Sequence, residues 1–225
     1  MAATATSLPG NATDTRPALE SGDRMDRAEF ERRYMCRPDI KKAELIKGVV
    51  YVASPVRIIE HGDPHGILVG ELHAYRKATP GVLLTDNGTW RPADGSEVQP
   101  DAMLRYARSS GGTSWSDVEH YLQGVPELVA EVSASSKSYD LNEKMALYRE
   151  MGVREYISWQ TEEERIDWWK LQDGRYVAIE PDAQGLLRSQ VFPGLALDVT
   201  ELLRMARESA DDTDAFASLL SPRPL

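Results

Sequence analysis

Residues 126–133 read Pro-Glu-Leu-Val-Ala-Glu-Val-Ser, and this stretch decides the fold. In an extended chain Leu128 and Val132 fall on one face, while Val129 and Glu131 fall on the other. Apolar residues on both faces are typical of a central strand that is covered on each side. Glu131 lies near the end of this strand, where a carboxylate that leaves water needs a partner. A solvated glutamate at an exposed strand end accounts for the same position equally well.

Residues 140–152 predict an amphipathic helix that follows this strand. Asp140 with Glu143 forms the pattern of a capping box, and Gly152 marks the end of the helix. Lys144 falls within the apolar stripe, where a carboxylate or a phosphate would be a favourable neighbour. A lysine that snorkels from the edge of the stripe is the commoner reason for one such residue. The stripe is formed by Leu141, Met145, Tyr148 and Met151.

A second acid, Asp101, lies within a predicted strand over residues 98–106. Aspartate is depleted in strands, so its presence there calls for a reason. A turn-forming Pro-Asp pair at the start of the strand is a purely structural explanation for this aspartate. Taken together, Asp101, Glu131 and Lys144 offer oxygen ligands for Mg²⁺ or Mn²⁺ and a positive group beside a phosphate.

The other segments predict a mixed α/β (α+β) fold with helices before and between the strands. We expect a disordered N-terminal arm over residues 1–24, one domain over 25–208 and a flexible C-terminal tail over 209–225. The predicted elements are helices over 26–36, 63–77 (with Asp63 as N-cap) and 199–207, a hairpin over 43–52 turning at Lys47-Gly48, strands over 82–85, 155–159, 165–171 and 176–179, and a turn at Asp173-Gly174.

Composition bounds the function. The chain has 225 residues, 41% of them hydrophobic, which suits one globular domain. Its net charge of −10 argues against nucleic-acid binding over the whole surface, although not against a local basic groove. The single cysteine, Cys36, excludes an internal disulfide, and we find no apolar run of membrane-spanning length. We therefore expect a cytoplasmic protein with no membrane association.

Several stretches in one order resemble a known family. They are QPD at 99–101, PELVAEVSASS at 126–136, DLNEKMALY at 140–148 and GVREY at 152–156. The chain closely resembles the Uma-type family of restriction endonuclease-like proteins, a domain-of-unknown-function branch of the PD-(D/E)XK nuclease superfamily. The resemblance spans roughly residues 26–200. It implies a restriction endonuclease-like core, with a central mixed sheet flanked by helices.

The resemblance also implies roles for single residues. Asp101 and Glu131 would be the metal-binding acids, and Lys144 would be the superfamily lysine. The superfamily pattern places that lysine two residues after the strand acid, where this chain has Ser133. In this branch the lysine is on the following helix, which fits Lys144. Glu44 would be an auxiliary acid, a metal ligand or a base, although a surface glutamate that opens a hairpin is an equal explanation.

The function that follows is a Mg²⁺- or Mn²⁺-dependent endonuclease that hydrolyses phosphodiester bonds, with DNA as its substrate. A non-catalytic nucleic-acid-binding or protein-interaction module with the same fold is the alternative, and the acidic charge favours it slightly. A nuclease for RNA or for a special DNA structure is a third hypothesis. Cutting both strands of a duplex needs two sites of opposite polarity, so we expect a homodimer.

Further residues are weaker candidates. Arg105, Arg108 and Lys137 would meet backbone phosphates, although solvated loop charges are the commoner case. His65 would point inward near the site or serve as a hydrogen-bonded core histidine. His61 is expected outside the helix, so the two histidines would not share a face or bind zinc. Adjacent tryptophans at 168 and 169 would face opposite ways, one inward and one outward for stacking on bases or for a shared interface.

Overall fold

The fold is organised around one six-stranded mixed sheet. In the computed structural model, residues 17–134 and 139–219 are described. In chain order the elements are α1 (Arg27–Met35), β1 (Ala43–Ile46), β2 (Val49–Val52), α2 (Asp63–Ala78), β3 (Val82–Asp86), β4 (Ala102–Tyr106), β5 (Trp115–Ser116), β6 (Leu122–Gln123), β7 (Leu128–Ser133), α3 (Tyr139–Met151), β8 (Glu155–Gln160), β9 (Arg165–Gln172), β10 (Arg175–Ala178), β11 (Leu186–Arg188), β12 (Ala196–Asp198) and α4 (Val199–Leu219).

The strand order in this sheet is β10-β9-β8-β7-β4-β3. β7 and β8 are parallel, and every other neighbouring pair in the sheet is antiparallel. A parallel pair requires a crossover connection, and α3 lies within it. The predicted mixed α/β class with a central mixed sheet is confirmed.

Both faces of β7 are buried, as its apolar alternation predicts. Leu128 and Val132 belong to a core cluster that includes side chains of α2 and α4. Val129 belongs to a second cluster, on the other face, that includes side chains of α3. A third cluster joins α1 to the β1–β2 hairpin. The central strand is therefore covered on each side, with Glu131 among its buried residues.

Two predicted turns are confirmed by their backbone angles. Lys47 and Gly48 have φ of 49° and 79°, and Asp173 and Gly174 have φ of 50° and 73°. Two consecutive positive φ values are the requirement of a type I′ turn, which joins antiparallel strands directly. β1 therefore pairs with β2, and β9 pairs with β10.

Several element boundaries differ from the sequence prediction. α2 is preceded by a π-helical turn over Ile58–Gly62, so its N-cap is Gly62 and Asp63 lies inside the helix. β4 begins at Ala102, which leaves Asp101 just before the strand. α4 extends to Leu219, well beyond the predicted end at residue 207. The β11–β12 hairpin was not predicted at all.

The prediction that one of the two adjacent tryptophans faces solvent is wrong. Trp168 is 1% exposed and belongs to the first core cluster, as expected for the inward member of the pair. Trp169 stacks on Tyr156 with ring centroids 5.5 Å apart, so it packs against the second core cluster. Both faces of the sheet are covered here, so Trp169 is partly buried and does not stand free in solvent.

Two predictions stay untested by the structure. The side chain of Asp140, and with it the predicted capping box, is not among the described side chains. The domain limits at residues 25–208 stay a prediction. No helix within residues 17–134 and 139–219 is long and apolar enough to cross a membrane.

Candidate active site

The two predicted acids lie next to each other on neighbouring strands. Ala102 of β4 pairs with Ala130 of β7, so the antiparallel register continues to Asp101 opposite Glu131. The backbone N–H of Val132 donates to Asp101 Oδ2 at 2.8 Å and fixes this arrangement one step beyond the strand. The two acids are 2% and 7% exposed, respectively. Opposite residues of such a pair share one face of the sheet.

Lys144 of α3 reaches the same place. Its Nζ lies 2.9 Å from Glu44 Oε2 and 3.1 Å from Glu131 Oε1, and the residue is 4% exposed. Glu44 of β1 also accepts a hydrogen bond of 2.6 Å from the backbone N–H of Gln99. Glu44 thus ties Lys144 to the segment that carries Asp101. The structure brings together the three predicted site residues and the predicted auxiliary acid.

Tyr148 is a site residue that the sequence analysis assigned only to the core. Its hydroxyl donates to Glu131 Oε1 at 2.5 Å. Its ring stacks on Trp90 and meets Tyr156 edge-on, with centroids 5.8 and 5.6 Å apart, respectively. Tyr148 follows Lys144 by four residues, so both lie on one face of α3. That spacing was the available signal.

Both histidines face Asp101. His61 Nε2 lies 3.2 Å from Asp101 Oδ2, and His65 Nε2 lies 3.2 Å from the backbone carbonyl of Asp101. His65 Nε2 is also 3.1 Å from Asp86 Oδ1. His61 lies outside α2, as predicted, but the π-helical turn leads directly into α2. The rings are therefore only 5.6 Å apart, and the expectation that they do not share a face is wrong.

Lys42 is the second residue that sequence reasoning missed. Its Nζ lies 3.4 Å from Asp101 Oδ1. It precedes β1 directly and stands two residues before Glu44. Strand alternation places residues at this spacing on the same face, which was the available signal.

The two acids differ in their pKa values. Burial raises the pKa of Glu131 to about 7, with the charges of Asp101 and Glu44 adding to the effect and that of Lys144 opposing it. Burial acts in the same direction on Asp101, but the hydrogen bond from His61 and the charge of Lys42 outweigh it. The pKa of Asp101 is therefore held below its usual range. Two adjacent carboxyls with pKa values pushed apart are typical of functional sites.

A cleft of about 560 Å³ opens over these groups. Asp101, Glu131 and Lys144 line it, and so do Lys42 and Arg57. Its volume falls in the range of pockets that hold small molecules or parts of larger ligands. The buried charges are therefore accessible from this cleft.

Comparison with known proteins gives this arrangement a family. Residues 27–200 match the Uma2 family, which is described as "Putative restriction endonuclease". The chain belongs to the Uma2 family. A crystal structure from Anabaena variabilis ATCC 29413, described as "a putative nuclease belonging to DUF820", has a TM-score of 0.62 and 14% identity, covering 81% of this chain and 99% of its own. No curated protein matches the chain.

Restriction endonuclease-like families generally use divalent metal ions, and the oxygens of this Uma2-family site suit one. Asp101 Oδ2 is anchored by Val132 and His61, while among the described residues Oδ1 has only the longer contact with Lys42. Glu131 Oε1 is anchored by Tyr148 and Lys144, and no described residue donates to Oε2. Each acid thus keeps one oxygen available to an ion.

The donor set is small. In the part of the chain that the structure describes, no group of three or more His, Cys, Asp or Glu side chains is arranged to hold a metal. Two carboxylates suit Mg²⁺, which keeps several of its water ligands and takes substrate phosphate oxygens as others. The residues therefore fit Mg²⁺ or Mn²⁺.

The predicted phosphate-binding arginines lie elsewhere in this Uma2-family chain. Arg105 is near the far end of β4 from Asp101, and burial lowers the pKa of its guanidinium. Arg108 is exposed, with its guanidinium 5.5 Å from the centroid of the Trp115 ring. Neither lines the cleft. Lys137 lies outside the described residues.

Proposed function

We propose that this chain is a nuclease that hydrolyses phosphodiester bonds in DNA and depends on Mg²⁺ or Mn²⁺. One observation carries the proposal. Asp101, Glu131 and Lys144 converge in one cleft, and each acid has one oxygen anchored by the protein. The other oxygen of Asp101 has a longer contact with Lys42, and no described residue donates to the other oxygen of Glu131. Membership of a nuclease family supports it.

Asp101 Oδ1 and Glu131 Oε2 are the atoms that would hold the ion. When bound, the ion would polarise the phosphate and lower the pKa of a water molecule. The protein's own groups prepare these ligands. His61 and the N–H of Val132 keep Asp101 ionised and oriented, and Tyr148 fixes the rotamer of Glu131.

Lys144 would face the phosphate as a fixed positive charge. Its ammonium would offset the negative charge that grows on the phosphate oxygens, or orient the attacking water. Glu44 would position this lysine instead of binding the ion, because its two oxygens already accept from Gln99 and pair with Lys144. In this proposal the auxiliary role of Glu44 is therefore to position Lys144.

Supercoiled plasmid, single-stranded DNA and RNA, each incubated with Mg²⁺, Mn²⁺ or a chelator, test the proposal. We expect cleavage of DNA with either ion and none with chelator. Equal cleavage in chelator would refute the metal dependence, and cleavage of RNA alone would refute the substrate. Binding of DNA without cleavage under every condition would identify a non-catalytic module.

The proposal extends to a homodimer. A domain with one site cuts one strand, and a twofold axis supplies a second site of opposite polarity for the other strand. Trp169 packs against Tyr156, so it does not offer an exposed aromatic surface for the dimer interface. The expected dimer interface is therefore the sheet edge at β10.

A further inference from the structure

Lys42 differs from Lys144 in how firmly the protein holds it. Lys144 is fully buried between two carboxylates, at 2.9 and 3.1 Å. The Lys42 side chain is 25% exposed on the cleft wall, and its Nζ contacts Asp101 Oδ1 at 3.4 Å. Charge-assisted hydrogen bonds between nitrogen and oxygen are usually about 2.7–2.9 Å long. Lys42 is therefore loosely held and can reach solvent.

The oxygen that Lys42 contacts is the one that an ion would need. The other oxygen of Asp101 accepts from Val132 at 2.8 Å and lies 3.2 Å from His61. An ion could bind Asp101 without disturbing those two contacts only through Oδ1. A divalent cation and an ammonium group repel each other, so the arrival of one at this oxygen disfavours the other.

We propose that Lys42 is a phosphate-binding residue that exchanges partners when the ion binds. In the metal-free protein it neutralises Asp101. With the ion at Oδ1, its ammonium is released into the cleft and binds a non-bridging oxygen of the substrate phosphate. A phosphodiester has two such oxygens sharing one negative charge, so the ion and Lys42 can each take one. This inference deepens the proposed function and rests on it.

A purely structural salt bridge makes the opposite prediction. If Lys42 only positions Asp101, its removal would disorder a metal ligand and weaken metal binding. If Lys42 competes with the ion, its removal would strengthen metal binding in the absence of substrate. The sign of the change therefore separates the two roles.

The experiment is calorimetric titration of Mn²⁺ into the metal-free full chain, without nucleic acid. We expect Lys42→Ala to bind Mn²⁺ roughly three- to tenfold more tightly than the wild type, because one nearby positive charge has been removed. Lys41→Ala is the matched control. Lys41 is exposed, and its ammonium donates to the carbonyl of Pro38, so the same change of charge should leave the affinity unaltered. An unchanged or weaker affinity in Lys42→Ala overturns the inference.

The phosphate half of the exchange uses inorganic phosphate as the probe. At saturating Mn²⁺ we expect Lys42→Ala to bind phosphate several-fold more weakly than the wild type, and Lys41→Ala to bind it equally well. Equal phosphate binding by Lys42→Ala overturns this half. Failure of the proposed function is a separate result, namely wild-type protein that cleaves no nucleic acid. Both titrations use metal and phosphate alone, so they test the role of Lys42 whether or not the wild-type protein cleaves nucleic acid.

Discussion

Asp101 and Glu131 lie opposite each other, but the surrounding groups stabilise their charged forms to different extents. Asp101 is surrounded by donors and cations, which hold its pKa down. Glu131 is held by one phenol and one ammonium that it shares with Glu44, and its pKa is raised to about 7. A carboxylate in this state gains most from an additional positive charge. In the proposed mechanism, Glu131 is therefore the ligand whose charge the ion would stabilise more.

Removing either carboxylate charge should therefore remove the ion while keeping the shape of the site. We expect Glu131→Gln and Asp101→Asn each to lower cleavage at least about a hundredfold, because the ion that they would hold would polarise the phosphate and activate a water molecule. Metal titration and plasmid cleavage measure the loss, and circular dichroism checks the fold. Full activity in either variant would contradict the metal mechanism.

Glu131 also predicts how stability depends on pH. Its folded pKa of about 7 lies above the ordinary value of 4.5, so between these values the folded state holds a proton that the unfolded state has released. Stability from this group is thus present below pH 4.5 and lost as the pH rises towards 7. At 1.36 kcal/mol per pKa unit, the rise of the pKa from 4.5 to about 7 corresponds to a loss of roughly 3 kcal/mol.

Denaturant unfolding of metal-free protein at pH 5 and pH 8 measures this loss, with Glu131→Gln as control. The pKa of His61 is also raised, so it contributes with the same sign and remains in the control. Asp101 has a lowered pKa, so its contribution is lost only in stronger acid. If Glu131→Gln shows the same loss between the two pH values, the pH dependence does not come from Glu131.

At the scale of elements, α3 carries Lys144 and Tyr148, and Gly152 follows its last residue. Gly152 has φ of 88°, and its N–H donates to the Arg149 carbonyl at 3.2 Å. A Cβ added at this position would have no atom within 4 Å, so the cost of a side chain is conformational. We expect Gly152→Ala to lower the free energy of unfolding by about 1 kcal/mol.

Gly66 gives the opposite expectation for the same substitution. It lies inside α2 with nothing within 4 Å of an added Cβ and without a positive φ. Gly66→Ala should stabilise the protein by roughly 0.5–1 kcal/mol, because alanine loses less backbone entropy in a helix. Thermal unfolding of both variants measures the two changes in stability. Destabilisation of equal size in both would mean that the backbone conformation of the glycine does not determine whether alanine stabilises or destabilises the protein.

Sequence patterns predicted those elements whose reasons are local. The two apolar faces of β7 follow from alternation, and the Lys47-Gly48 turn follows from its residue types. Residues that depend on tertiary convergence were missed. His61 reaches Asp101 only because a π-helical turn extends α2 backwards, and no spacing rule for an α-helix gives that geometry. Trp169 looked free because alternation shows opposite faces but does not show that both are covered.

For the whole molecule, the net negative charge disfavours nucleic acid, whereas the cleft contains cationic side chains. The chain carries a net charge of −10, so most of its surface repels nucleic acid. The cleft itself offers Lys42, Arg57 and Lys144. Four carboxylates, Glu44, Glu60, Asp101 and Glu131, line the same cleft. Binding of a substrate phosphate should therefore depend on a divalent ion that offsets these charges more than on a basic surface.

The proposed homodimer has a candidate edge in β10, which ends the six-stranded sheet. The N–H of Ile179 donates to Trp168 on β9 at 2.7 Å. Hydrogen bonding alternates along an antiparallel pair, so Val177 also points its N–H to β9, and Ala178 points its N–H away. Val177 is 43% exposed. Within the described residues no strand pairs with this side of β10, and a partly apolar edge of this kind can pair with its twofold copy.

We expect a dimer mass in sedimentation at micromolar concentration, and a monomer mass for Ala178→Pro. Proline at this position removes an outward N–H and leaves the inward bonds of the β9–β10 hairpin in place. Ala178→Thr keeps the N–H and is the matched control, so it should remain dimeric. Because each copy carries the net charge of −10, added salt should strengthen the association by screening repulsion. A monomeric wild type would contradict the dimer, and a dimeric Ala178→Pro would place its interface on another surface.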